Sequence, residues 1–139
     1  MSWDLFAFNI PPDVTTIEDI PNDLRPIGQR ADLISKIIYA IPEVDFSEPS
    51  WGILRGANWL IEINLGDEEE TMGFALHVRG GDEAVGAVSA VLDCVGARAL
   101  DSGTGELFVS GPGALDGFRA WRSYRDDVVA TLSNNSDQS

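Results

Sequence analysis

Apolar and polar positions alternate along this chain with two different periods, and the switches between them mark out its elements. Residues 59–65, WLIEINL, alternate with period two: Trp59, Ile61, Ile63 and Leu65 share one face, Leu60, Glu62 and Asn64 the other. Residues 72–79 do the same, with Met72, Phe74, Leu76 and Val78 opposed to Gly73, Ala75, His77 and Arg79. Successive strand side chains point to opposite faces, so both segments read as half-buried strands. A one-residue slip would turn either apolar set outward, which constrains the register. Gly66-Asp67-Glu68-Glu69-Glu70 joins the two as a hairpin loop. Over residues 29–41 the period lengthens, and Leu33, Ile34, Ile37, Ile38 and Ile41 form one helical stripe that Pro42 ends. Val85, Val88, Val91, Leu92 and Val95 form a second stripe, with Asp82 as N-cap, Glu83 in the first turn and Gly96 as the stop.

The remaining segments complete the order. Residues 3–10, WDLFAFNI, read as an aromatic-rich first strand closed by Pro11-Pro12. A long irregular connection follows, punctuated by Pro21, Asn22, Pro26 and Gly28. Residues 43–50 read as acidic and turn-like, and Trp51 to Arg55 as a short strand. Arg98 to Leu100 and Glu106 to Val109 read as two short strands around the glycine-rich turn 101–105. Gly111-Pro112-Gly113 opens a final helix over 114–132, with Leu115, Phe118, Trp121, Val128 and Leu132 toward the core, and 133–139 form a disordered polar tail. The order β-α-β-β-β-α-β-β-α predicts an α+β fold, a single domain over 1–132 built on a mainly antiparallel sheet with helices packed on one face. The face carrying Glu62, Asn64, His77 and Arg79 is then left to water or a partner.

Composition supports one folded domain: 139 residues, 44% hydrophobic, with six Phe and four Trp as bulky core material. Charge changes the picture more. The formal net charge is −14, and half of it falls in residues 43–70, which hold eight carboxylates against one base, Arg55. Such a surface repels nucleic acid and anionic membranes and attracts basic proteins or cations. Cys94 is the single cysteine, so neither an intrachain disulfide nor a cysteine-based zinc site can form. The opening residues lack the basic and apolar regions of a signal peptide, and no apolar run approaches the roughly 18 residues of a membrane span, so a cytoplasmic protein is expected.

Four strings together resemble a family of small bacterial cytosolic proteins: Met1-Ser2-Trp3-Asp4, residues 45–52 (DFSEPSWG), residues 74–82 (FALHVRGGD) and residues 99–106 (ALDSGTGE). The resemblance spans roughly residues 1–125 and implies a bacterial, compact α+β protein. It brings no catalytic residues with it.

Several groups could carry chemistry. His77, the only histidine, falls on the same sheet face as Glu62, as a diagonal neighbour, and Arg79 lies two residues on. A carboxylate orienting an imidazole is what a general base needs, and the arginine could hold an anion. No nucleophile motif accompanies the three, so a solvated polar face with a cross-strand ion pair is the plainer reading. Asp101-Ser102-Gly103 mimics the Asp-Ser/Thr-Gly run of aspartic proteases, but that fold is almost all β and the run also reads as a tight turn. Asp67 to Glu70 lack the interleaved ligands of a calcium loop, so no metal or other cofactor is expected. Gly80-Gly81-Asp82 sits where a phosphate loop would, yet Asp82 places negative charge there and no nucleotide-binding spacing is present. Arg119, Arg122 and Arg125 are interleaved with Asp116, Asp126 and Asp127 and read as intrahelical pairs. Cys94 reads as a packing residue. The leading expectation is a non-catalytic acidic module, immunity-protein-like or regulatory. It would hold a basic protein partner through Asp45, Glu48, Asp67, Glu68, Glu69 and Glu70. The alternative is an enzyme or small-ligand binder around Glu62, His77 and Arg79.

Overall fold

A computed structural model describes residues 3–80 and 82–108. The expected final helix over 114–132, with Arg119, Arg122 and Arg125, and the polar tail 133–139 lie outside these residues. The elements run β1 (Trp3–Phe8), β2 (Gly28–Gln29), α1 (Arg30–Ala40), β3 (Asp45–Glu48), β4 (Trp51–Arg55), β5 (Trp59–Asn64), β6 (Glu70–Thr71), β7 (Gly73–Gly80), α2 (Ala84–Val95) and β8 (Arg98–Asp101). The fold is α+β. Among the described residues, six strands form a sheet in the order β3-β4-β5-β7-β1-β8, every neighbouring pair antiparallel. The first strand of the chain is thus threaded between two later ones. The short strands β2 and β6 pair separately.

The two helices pack against each other, and α2 lies across β5, β7 and β8. The alternation in the strands aims one set of side chains at them. Leu5, Leu76 and Ile63 stand side by side across β1, β7 and β5 with no exposure. Trp3, Val78 and Ile61 form the parallel row one step along. Val88, Val91 and Leu92 of α2 and Leu33 and Ile37 of α1 close the core over them. Gly96 ends α2 in the left-handed conformation at φ 70°, which a glycine adopts without side-chain strain. The Gly96 and Ala97 N–H groups then satisfy the terminal carbonyls of Asp93 and Leu92.

Some expectations are corrected. Ile38 is 43% exposed, because α1 packs chiefly against α2 and the narrower Leu33/Ile37 line suffices for that contact. Met72 is half exposed: it separates β6, tied to β2, from β7, and the chain leaves the main sheet there. Residues 45–48 form an edge strand, not a turn. Residues 106–108 form a single bridge, Leu100 to Leu107, in place of a regular strand. Asp82 is not the cap of α2; Glu83 takes that position with helical dihedrals, and the Asp82 carbonyl accepts the Val85 N–H.

The acidic hairpin 66–70 is docked rather than loose. The Arg30 N–H donates to the Glu69 carbonyl at 2.7 Å, the Arg30 guanidinium to the Gly66 carbonyl at 3.0 Å, and the Ile27 N–H to the Thr71 carbonyl at 2.8 Å. Exposed carboxylates are thereby held beside the N-terminal end of α1, where the helix dipole favours negative charge. No helix among the described residues is long and apolar enough to cross a membrane.

Candidate functional site

The sheet face turned away from α1 and α2 is ordered by the strand register into rows. One row runs Ile53, Glu62, His77, Asp4 across β4, β5, β7 and β1. The adjacent row runs Trp51, Asn64, Ala75, Phe6, Leu100 across β4, β5, β7, β1 and β8. On the edge strand, Asp45 pairs with Ile53 and Glu48 with Trp51. Two residues of β3, Phe46 and Ser47, therefore stand opposite the single Gly52. This is a β-bulge, and it has a consequence for charge. Without it Asp45 and Glu48, three residues apart, would point to opposite faces. With it both lie beside the open-face residues Ile53 and Trp51, while the Phe46 ring fills the space over Gly52 and packs against the core.

His77 is held from two sides. Its Nδ1 lies 2.9 Å from Asp4 Oδ1, and the Trp51 ring stacks on it with centroids 6.1 Å apart and an interplanar angle of 21°. An ionised carboxylate only accepts hydrogen bonds, so Nδ1 carries the proton in this pair. Glu62 stands directly opposite His77 rather than diagonal to it, and takes a 3.9 Å ion pair with Arg79. The register thus brings Glu62, His77 and Arg79 together, but assigns the carboxylate that bonds the imidazole to Asp4. Sequence reading passed over Asp4, Trp51 and Phe6 as site residues. The advance signal for Asp4 and Phe6 was their alternation with Phe8 against Trp3, Leu5 and Ala7, and the β1–β7 pairing that brings them to the face of His77 joins residues some seventy positions apart. Trp51 reaches that face through the β4–β5 and β5–β7 pairings.

The other candidates resolve differently. Asp45 accepts hydrogen bonds from the Ser47 hydroxyl and backbone N–H, which hold its carboxyl below the usual carboxylate range. Asp67, Glu68, Glu69 and Glu70 are exposed on the hairpin end, and Asp45 and Glu48 are exposed on the edge strand β3. Asp101 is buried. Its Oδ2 accepts Trp3 Nε1–H at 2.8 Å, and its Oδ1 accepts the Gly103 and Thr104 N–H groups, so the Asp-Ser-Gly run is a side-chain-braced turn. The Cys94 thiol donates to the Val91 carbonyl at 3.1 Å, and its partial burial pushes its pKa up. Among the described residues, no group of three or more His, Cys, Asp or Glu is placed to hold a metal ion.

Beside His77 the face dips into a groove of about 360 Å³ that opens to solvent between Phe6 and Phe8 on one side and Asn64 on the other. The fold is α+β, and among the described residues α1 and α2 lie on one side of the antiparallel sheet and an aromatic, acid-edged surface on the other. Comparison with family models, curated proteins and solved structures finds no match for this chain.

Proposed function

We propose that this chain is a non-catalytic binding module whose open sheet face takes up a basic protein partner, in the manner of an immunity protein or a regulatory subunit. The observation that carries the reading is the bulge in β3, which sets Asp45 and Glu48 against Ile53 and Trp51. An aromatic and aliphatic centre with a charged rim is the usual anatomy of a protein interface. The net charge of −14 supplies the steering toward a basic surface. The test is capture from native lysate, followed by reconstitution with the purified captured protein. Trp51→Ala is expected to weaken that complex about tenfold or more, as loss of an interface aromatic does. Asp45→Asn with Glu48→Gln is expected to slow association and flatten its salt dependence. A complex indifferent to both changes would remove this face from the function.

A second reading, an enzymatic or small-ligand site around Glu62, His77 and Arg79, has the Asp4–His77 pair in its favour. It is separated by NMR of the His77 ring. Saturable shifts with a small metabolite support it. Shifts that come only with the protein partner support the first reading.

A further inference from the structure

The groove beside His77 has a composition and surroundings that specify what would fill it. Its floor is made by two small residues of β7, Gly73 and Ala75, and its walls by Phe6 and Phe8 of β1 and Asn64 of β5. A Cβ on Gly73 would stand 2.5 Å from the Phe8 ring, so the ring occupies the space a side chain would take. Phe6 nonetheless stays 41% exposed, an apolar wall facing solvent. Charge flanks the groove along the strand direction. One step from the Ala75 row, about 7 Å, is the row with Glu62 and Asp4. At the other end Gly66 lines the groove, and the exposed carboxylates Asp67 to Glu70 follow it directly. Arg79 offsets the inner row and Arg30, on the Gly66 carbonyl, part of the hairpin charge; four carboxylates against one guanidinium make the hairpin end the more acidic of the two.

We infer that this groove seats one apolar side chain of a partner segment that carries basic residues on both sides of it. The inference rests on the basic-partner reading and names the recognition element within it. An extended segment places same-face side chains about 7 Å apart, the separation between the groove and the Glu62 row. An apolar residue over Ala75 would therefore bring an arginine or lysine two positions away over Glu62 and Asp4, and its counterpart on the other side toward Asp67. Acidic ligands are disfavoured at both ends.

The experiment uses two five-residue peptides, capped at both termini, with arginine at each end and serine at positions two and four. One has leucine at the centre, the other serine. Binding to the full chain is followed through backbone amide resonances at low ionic strength. The leucine peptide is expected to move Gly73, Ala75 and the 67–70 amides and to bind at least fivefold tighter than the serine peptide. That advantage should vanish in Ala75→Leu, which fills the groove, and in Phe6→Ser, which removes an exposed wall; melting curves verify that each variant is folded. Equal, salt-sensitive binding of the two peptides overturns the groove inference while leaving the basic-partner reading standing. No binding of either peptide overturns both. A leucine advantage that survives both variants places the anchor elsewhere. A concentration-dependent dimer that Ala75→Leu dissolves assigns the groove to a second copy of the chain, and this also overturns the inference.

Discussion

Asp101→Ala is expected to destabilise the protein by about 3 kcal/mol, seen as a fall of roughly 10 °C in melting temperature for a domain of this size. The carboxylate is 5% exposed and accepts from three donors: the Trp3 indole N–H and the backbone N–H groups of Gly103 and Thr104. Hydrogen bonds to a charged acceptor contribute about 1.5–3 kcal/mol each, and three sharing one acceptor do not add in full. Removing them takes the acceptor from an indole on the fully buried Trp3 and unties the turn that returns the chain to pair Leu107 with Leu100. Ser102→Ala is the control: its exposed hydroxyl donates only to the Asp4 carbonyl, and its loss should cost no more than about 1 kcal/mol. A melting temperature for Asp101→Ala within about 2 °C of the parent would refute the bracing role.

Gly80→Ala is expected to cost a similar amount, about 3 kcal/mol, for a steric reason. Gly80 pairs with Trp59 at the end of the β5–β7 ladder and has φ +112°, where a side chain is strained. An added Cβ would stand 2.4 Å from the Asn58 carbonyl oxygen and 2.5 Å from Trp59 Cα. Both are backbone atoms, which cannot swing aside as a side-chain tip would. Relief requires opening the end of the ladder, and the chain leaving Gly80 carries α2 with its core valines. Gly86→Ala, inside α2 with nothing within 4 Å of the added carbon, should instead stabilise by about 0.5–1 kcal/mol through helix propensity. Denaturant unfolding of the two variants reads the contrast, and amide exchange should show the Gly80→Ala loss concentrated at the β5–β7 pairs. Equal stabilities for the two variants would remove the close-approach argument. The glycine that looked like part of a phosphate loop is thus accounted for by the approach of another strand.

The alternation in 59–65 and 73–79 was legible because a strand that buries one face writes a period of two into its residues. Keeping both apolar sets inward constrains the β5–β7 register to shifts of two, which left Glu62 diagonal to His77 as readily as opposite it. The valine stripe of α2 was legible for the same reason at helical period. Segment 45–48 was not. Its polar residues sit on an edge, where one side of the strand needs no partner and the bulge interrupts alternation, so it carries the signature of a turn. The site was half legible. Glu62, His77 and Arg79 come from adjacent strands of one hairpin, and their shared face can be counted out. Asp4 and Trp51 join them only through pairings that local pattern does not encode.

The chain by itself determined β1, β4, β5, β7, β8, α1 and α2, most of the core they share and its strongly negative charge, because each depends on residue type and on spacing within a few positions. Tertiary structure decided the rest. Threading β1 between β7 and β8 set Asp4 on His77, the β3 bulge turned Asp45 and Glu48 to the face of Trp51, and Arg30 fastened the acidic hairpin to α1. The β1 threading and the Arg30 contact join residues far apart in the chain, so they form only as the sheet closes; the bulge is local, and its effect comes from how β3 seats on β4.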